Sequence, residues 1–364
     1  MARDNGMNGH HMIREIHEQP QAFDKIVSET RTRIQEIARE AWNRAHPESY
    51  HVVGCGSSYY AAMLATFYQE HRLGLDSRAC PSSEFVWFAP RPNMRSPILM
   101  ALSRSGRTSE SVEAARKARK IKIPTIAIVS DHQSTMAQEC DYCLYTGVPS
   151  EESTIMTKTF TGGALATIIA GLEFTRLAGT AIPKDLEVGL SQLSKDAEAV
   201  IRTTEDQARR IAEKSQNVTR FIYLGSGANF AACLEGALKL RETSYSASEA
   251  YHTMEFRHGP FAELEKGIQV IALIPEGKTV RQEATLLKEI ASTGANVVPI
   301  SNVPEIINSH ADAVRMPDSI SPEFAPLLFM IPMQFFAYYY TVRKGLNPDR
   351  PRNLVKFVTT EISS

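Results

Sequence analysis

The segment Ser96–Lys120, SPILMALSRSGRTSESVEAARKARK, decides how the chain around it is read. Ile98 to Leu102 form an apolar run with the length of a buried strand, and from Thr108 onward the pattern turns helical. Between them lie Ser103, Arg104, Ser105, Gly106 and Arg107. A strand that delivers a hydroxyl-rich turn onto a helix N-terminus gathers backbone N–H groups and the positive end of the helix dipole at one point, which makes an anion site. Ser103, Ser105 and Thr108 add hydroxyl donors. The turn has neither the lysine nor the length of GxxxxGK[ST], so it suits a small phosphate rather than a nucleoside triphosphate. Serine and threonine also cap helices with no ligand at all, and the turn alone leaves both readings open.

On its N-terminal side, HVVGCGSSYYAAMLATFYQEHR reads as strand, glycine turn (Gly54 to Ser58) and helix; on its C-terminal side come the strands PTIAIVS and DYCLY. Strands alternating with helices predict a parallel, doubly wound sheet. The pattern then begins again. RFIYLGSGANFAACLEGALKL repeats the first strand, turn and helix, and IQVIALIPEGKTVRQEATLLKEI repeats the opening segment. Gly225, Gly277 and Thr279 each follow Gly54, Gly106 and Thr108 by 171 residues (225 − 54). The expected fold class is therefore α/β, with two tandem subdomains, each a doubly wound, mainly parallel sheet flanked by helices. The second copy has only Pro275 and Glu276 where the first has Ser103, Arg104 and Ser105, so one phosphate site is expected, in the first half. The expected division is a leader and amphipathic docking helix over 1–48, a first subdomain over 49–184, a helical connector over 185–214, a second subdomain over 215–345 and a tail or lid over 346–364. Phe23, Ile26, Val27, Ile34, Ile37, Ala38 and Trp42 supply the apolar stripe of the docking helix.

Forty basic against forty-one acidic residues leave a net charge of −1, which gives no pull toward nucleic acid or an anionic membrane. The N-terminal sequence shows no apolar export core and no Arg-rich amphipathic leader, so a cytoplasmic protein is expected. Five cysteines without framework spacing suit a reducing compartment. Cys140 and Cys143 make a CxxC, but no second pair or histidine set accompanies it, so zinc or redox use is not expected. The apolar segment FAPLLFMIPMQFFAYYY is short for a span of about 20 residues and holds Pro332, so it reads as a core or subunit-interface helix.

The second copy's first helix carries charges that the first copy lacks. Glu235, Lys239 and Glu242 fall at i, i+4 and i+7 and so share one helical face. Such a stripe is either a solvated set of ion pairs or, on the helix that follows a glycine turn in a doubly wound fold, part of a ligand site. A carboxylate beside a phosphate-held sugar would serve as a proton shuttle. His258, in the loop sequence RHGP, is a side chain suited to acid or base work near neutral pH. The tail NPDRPRNLVKFVTTEISS, with Arg352, Asn353 and Lys356, reads as a lid whose apolar residues pack and whose lysine is poised over a site, or as a short ordered end.

Taken in order, EIHEQPQAF, GCGSSY, SRSGRTSES, TKTF, LEGALKLRE, EAYHTMEFRHGP and NPDRPRNLVKFVTTE resemble the paired sugar isomerase (SIS) domains that form the isomerase half of glucosamine-6-phosphate synthase. The likeness covers nearly the whole chain from about Met12. It implies that Ser58, Ser103, Ser105 and Thr108 hold a sugar phosphate, with the backbone N–H groups of Ser57 and Arg104 nearby. Glu242 would move a proton between C1 and C2, His258 would open the sugar ring, Lys239 would lie beside substrate oxygens and Lys356 would contact the open-chain sugar. Glu235, Arg107 and Thr157 are further candidates for the substrate site. The family's histidine comes from a neighbouring subunit, so a homodimer with sites at the subunit interface is implied, with no metal or cofactor.

The sequence departs from that family at instructive places. No glutaminase domain with its catalytic cysteine precedes the resemblance, and residue 2 is Ala2. Arg104 and Arg107 replace a glutamine and a glutamate, and Met156 replaces a serine before the TK pair. The resemblance therefore implies a glucosamine-6-phosphate deaminase that gives fructose 6-phosphate and ammonia. The alternative is a deglycase of a fructosyl-amino-acid 6-phosphate, whose extra negative charge the two arginines would meet. A non-catalytic sugar-phosphate sensor is the third reading, since a fold does not fix a function.

Overall fold

The computed structural model describes residues 9–89 and 95–360, so the leader before Gly9, with Ala2, lies outside the described residues. The first half runs α1 (His10–His17), α2 (Gln19–Lys25), α3 (Arg31–Ala45), β1 (Ser49–Gly54), α4 (Ser57–His71), β2 (Asp76–Pro81), α5 (Ser82–Phe88), β3 (Pro97–Ser103), α6 (Ser109–Lys120), β4 (Thr125–Val129), α7 (Thr135–Glu139), β5 (Tyr142–Tyr145) and α8 (Lys158–Leu177). After the long α9 (Lys184–Lys214) come β6 (Arg220–Gly225), α10 (Ala228–Ser244), β7 (Ala247–His252), β8 (Ile268–Ile274), α11 (Val280–Ser292), β9 (Asn296–Ser301), α12 (Pro304–Ser309), β10 (Val314–Arg315), α13 (Ala325–Leu328) and α14 (Met330–Arg343). The strands β6 to β9 start 171 residues after β1 to β4 (220 − 49), so the repeat read from three glycine and threonine positions extends through both sheets.

Each sheet has five strands, in the orders β2-β1-β3-β4-β5 and β7-β6-β8-β9-β10, and every pairing is parallel. The fold is α/β and doubly wound, as the alternation of strands and helices predicts. Helices cover both faces, which is why β3 (PILMALS) and β8 (IQVIALI) are nearly continuous apolar runs rather than alternating ones. In both sheets the chain reverses direction of growth between the first strand and the third, at β1/β3 and at β6/β8. In folds of this kind ligands bind beyond the strand C-termini at that switch point.

Two glycines make the switch points possible. A Cβ on Gly54 would lie 2.6 Å from the Ser58 carbonyl carbon, and one on Gly225 would lie 2.6 Å from the Asn229 carbonyl oxygen. Strand end and helix start therefore approach closely only with hydrogen at these positions.

The chain forms two compact units. One contains the first sheet, with Gln19–Ser150, Lys158–Ser194 and the tail from Val355; the other contains the second sheet, with α1, Glu151–Thr157 and Lys195–Leu354. In the first-sheet unit, Val53, Leu99, Ala101, Ala127 and Val129 alternate along their strands to bury one face under Val112, Ala115 and Ala118 of α6. In the second-sheet unit, Ile222, Leu224, Val270, Ala272 and Ile274 do the same under Leu286, Leu287 and Ile290 of α11.

Three expectations change in detail. The docking helix is not continuous: a π-helical turn at Ile26–Thr30 separates α2 from α3, although Phe23, Ile26, Ile34, Ile37 and Ala38 are all buried. The apolar segment near the C-terminus is broken into α13 and α14, with Pro332 in the first turn of α14, where a helix tolerates a residue lacking an N–H. Its side chains are core, and among the described residues no helix is long and apolar enough to cross a membrane. The tail's apolar residues do not pack: Leu354, Val355, Phe357 and Val358 are exposed, and main-chain hydrogen bonds hold the segment instead. The CxxC pair is unbonded, and burial pushes the Cys140 thiol up to about 12, which leaves little thiolate for metal or redox chemistry.

Candidate active site

The turn between β3 and α6 is braced by its own hydroxyls. The Gly106 N–H donates to Ser103 Oγ at 3.1 Å and the Arg107 N–H to Ser105 Oγ at 3.2 Å. The Gly106 and Arg104 carbonyls accept from the Met136 and Ser130 N–H groups at 2.9 and 3.2 Å, so neighbouring loops fix the turn from behind. Gly106 has φ +61°, and a Cβ there would lie 2.1 Å from Ser134 Oγ, so the position demands glycine. Thr108, at the N-cap, makes no side-chain capping bond to α6, unlike Ser134, which accepts from the Ala137 N–H at the start of α7. Ser57 and Ser58, at the start of α4 across the switch point, are buried. The result is a strand-end turn rich in N–H and hydroxyl groups at the position where doubly wound folds hold phosphates.

The two arginines of this turn already have partners. Arg107 pairs with Asp131 at 2.7 Å. Arg104 is buried, and its guanidinium donates to the Lys356 carbonyl at 2.8 Å. Lys356 itself is exposed, on the tail of the same unit. A separate groove of about 470 Å³ lies along the edge strand β2, lined by Tyr59, Phe67, Arg78, Glu84 and Phe88. It lacks the turn's hydroxyls.

In the second-sheet unit, Glu235, Lys239 and Glu242 share one face of α10, and the solvated reading of that face fails. Lys239 and Glu235 have side chains with 0 % exposure, while Glu242 keeps 20 %. The Lys239 ammonium lies 2.9 Å from Glu235 and 2.8 Å from Glu242, and 3.5 Å from the Met156 carbonyl. Burial alone would lower the Lys239 pKa, but the two carboxylates outweigh it and hold the value above that of free lysine. The buried ammonium thus lies between two carboxyl groups, and Glu242 is the one partly accessible member of the cluster. Thr157 is fully buried, and its N–H donates to Glu151 at 2.8 Å. His258 follows a 3₁₀ turn (Glu255–Arg257) and is exposed, its N–H bonded to the Glu255 carbonyl at 2.9 Å. Its described contacts do not include the Glu242 cluster.

Sequence reasoning missed Glu283. At the switch point of the second sheet this carboxylate accepts from Ser226 at 2.5 Å and from Thr279 at 3.0 Å, and it is 1 % exposed. Burial raises its pKa, partly offset by the hydroxyls of Ser226, Thr279 and Thr253. Ser226 and Thr279 correspond to Cys55 and Thr108 of the first repeat, and Glu283 corresponds to Val112 (283 − 171). The signal is present in the sequence: Glu283 sits on the face of VRQEATLLKEI that Leu286, Leu287 and Ile290 assign to the core. Elsewhere His10, His11 and Asp349 lie close enough to share a cation. Asp349 there accepts from the His11 and Met12 N–H groups at the start of α1, and Arg14 stands 3.3 Å from His11 Nδ1, an arrangement that suits a helix cap.

Two tandem doubly wound sheets, one with a turn rich in N–H and hydroxyl groups at its switch point and one with a buried carboxylate–ammonium cluster, define a duplicated α/β fold. The chain belongs to the SIS domain family, whose model matches residues 45–168 and 216–343. It is 31 % identical over 379 residues to glutamine–fructose-6-phosphate aminotransferase (isomerizing) of Clostridium tetani, covering 99 % of this chain and 60 % of that protein. The Mycobacterium tuberculosis H37Rv protein of the same name is 32 % identical over 378 residues, covering 99 % and 59 %. The chain thus spans about 60 % of the length of these relatives. Among solved structures, the C-terminal domain of glucosamine-fructose-6-phosphate aminotransferase from Francisella tularensis shares the fold, with a TM-score of 0.85 at 24 % identity, covering 96 % of this chain and 100 % of that one. Glucosamine-6-phosphate deaminase from Thermotoga maritima matches with a TM-score of 0.78 at 27 % identity, covering 96 % and 99 %.

Proposed function

We propose that the chain is a SIS-type glucosamine-6-phosphate deaminase, converting glucosamine 6-phosphate and water to fructose 6-phosphate and ammonia. The observation that carries the reading is the buried Glu235–Lys239–Glu242 cluster with Glu242 as its accessible member. In this mechanism Ser58, Ser103, Ser105 and Thr108, with the backbone N–H groups of Ser57 and Arg104, hold the substrate phosphate and so fix the remote end of the sugar, which lowers the entropic part of the barrier. His258 assists ring opening. Glu242 takes the proton from C2, which the C1 aldehyde acidifies, and returns it at C1. The product is a C2 imine, and water hydrolyses it to the ketose with release of ammonia. Lys239 pairs with Glu242 and lies beside the substrate oxygens; Lys356 contacts the open-chain sugar.

The likeness to the Thermotoga maritima glucosamine-6-phosphate deaminase, at 27 % identity, supports the release of ammonia. The deglycase reading loses its main support, since Arg104 and Arg107 are engaged by Lys356 and Asp131. A sensor would gain nothing from a lysine buried between two carboxylates.

The exposed position of His258 suits a residue offered to a second copy, and we propose a homodimer with shared sites. Mixing inactive Glu242→Gln and His258→Ala proteins should then restore up to about a quarter of wild-type turnover, through mixed dimers with one intact site; no recovery would place both residues in one subunit's site. The function itself is tested by an ammonia-release assay on purified protein with glucosamine 6-phosphate and, in parallel, a fructosyl-amino-acid 6-phosphate. Release from the first is the expected result. Silence there with free amino acid from the second would move the assignment to deglycase.

A further inference from the structure

The tail after Leu354 touches the first-sheet unit through its main chain at every second residue. The Lys356 carbonyl accepts from the Arg104 guanidinium at 2.8 Å. The Val358 carbonyl accepts from the Ser109 N–H at 3.2 Å, and the Thr360 N–H donates to Ser109 Oγ at 2.8 Å. These contacts set the main chain of 356–360 against the phosphate turn and the start of α6. Burial contributes little, because Val355, Phe357 and Val358 are exposed at 67 %, 36 % and 49 %. The ring of Phe357 does lie under the Arg107 guanidinium, 6.0 Å from centroid to Cζ.

Among these tethers one is charge-assisted and buried. Arg104 is 7 % exposed, its own carbonyl is bound to the Ser130 N–H, and its guanidinium meets the carbonyl of Lys356 itself. A guanidinium donating to a neutral carbonyl makes a stronger bond than two neutral partners do. The position that the family pattern fills with a neutral glutamine here holds a permanent cation, directed at the backbone of the tail.

We propose that Arg104 is a positioning residue for Lys356, fixing the tail lysine by its main chain so that phosphate turn and tail form one preset unit. The inference rests on the reading above in which Lys356 contacts the sugar, and it adds a role that the turn's hydroxyls and N–H groups do not have. Its consequence is a tail ordered before substrate arrives. Phosphate binding at Ser103, Ser105 and Thr108 and placement of Lys356 are then coupled through one side chain.

The test uses the full chain and two readouts. Hydrogen exchange of the Thr360 and Ser109 N–H groups, the amides that make the tail contacts, in the absence of ligand reports tethering whether or not any substrate is turned over. In Arg104→Gln the exchange should quicken by about tenfold or more, as expected for a lost hydrogen bond to a charged group. Arg104→Lys, which keeps the charge on a shorter reach, should fall between the two. Equal exchange in wild-type and Arg104→Gln protein would overturn the proposal. The second readout is a double-mutant cycle in kcat for ammonia release. Arg104→Gln should lower kcat by roughly tenfold in the wild-type background and by much less when Lys356→Ala is already present. Equal losses in both backgrounds would show that Arg104 acts apart from Lys356 and would also overturn it. Absence of ammonia release from the wild-type protein would sink the proposed reaction, and the exchange measurement would still decide the tether.

Discussion

At the end of β3 the switch-point crevice is lined by the hydroxyls of Ser103, Ser105 and Thr108, whereas at the end of β8 the equivalent space is taken by the carboxylate of Glu283, held by Ser226 and Thr279. The strands around the two crevices align residue for residue at an offset of 171 (268 − 97). What separates them is a few side chains: Ser103, Arg104 and Ser105 against Ile274, Pro275 and Glu276, and Val112 against Glu283. A duplicated fold can thus keep its backbone and leave one crevice lined by hydroxyl groups while closing the other with an internal carboxyl group. Chemistry is divided in the same way. The cluster Glu235–Lys239–Glu242 lies on α10 of the second repeat, and its counterpart α4 carries Leu64, Tyr68 and His71 at the positions 171 residues earlier. No carboxylate and no lysine stands at any of the three.

The largest effect that would break this division is on turnover. Glu242→Gln should lower kcat by about 10²- to 10⁴-fold, the range expected for loss of a positioned acid–base group, with sugar-phosphate binding by titration calorimetry nearly unchanged. Wild-type turnover in that variant would remove Glu242 from its role. Next comes stability. Lys239→Met leaves the buried Glu235 and the partly exposed Glu242 without their cation and should destabilise the fold by about 3–5 kcal/mol, the cost of breaking a buried pair, measurable by urea denaturation.

A paired substitution sharpens the contrast between the crevices. Gly106→Ala meets Ser134 Oγ and a φ of +61°, and should cost about 1–3 kcal/mol and weaken phosphate binding as well. Gly277→Ala, at the matching position of the second repeat, has nothing within 4 Å of the added carbon. It should stay within about 0.5 kcal/mol of wild type. Equal effects would mean that the two turns are not distinguished as described.

The smallest effect is on pH dependence. Burial raises the folded-state pKa of Glu283 above its unfolded value, so the native protein holds that proton more tightly. The resulting contribution to stability is full below the unfolded carboxylate pKa and is lost as pH rises through the raised folded value. Glu283→Gln should flatten that decline in a series of thermal melts, and an unchanged slope would show that the neighbouring hydroxyls compensate the burial fully.

Much of this organisation is legible in the sequence because it rests on periodicity. The strand ILMAL, the turn after it and the helix beyond follow from apolar spacing and one glycine, and the repeat follows from three aligned positions. Burial of the Lys239 cluster is not legible, since charges at i, i+4 and i+7 look the same on a solvated face as on an enclosed one; only the packing of α10 distinguishes them. The tail misleads for a related reason. Leu354, Val355 and Phe357 suggest packing, but the segment is held by main-chain atoms, which leave no pattern in side-chain type. Glu283 can be found in principle, because a lone carboxylate on a core-facing helical stripe requires a partner.

The most direct test of the division between repeats is a hydrogen-exchange map of Glu242→Gln protein with and without saturating glucosamine 6-phosphate, the variant keeping the substrate intact. Protection at residues 103–109 and the start of α4, with none at 275–280, is the predicted result. Protection at 275–280, or none at 103–109, would contradict it.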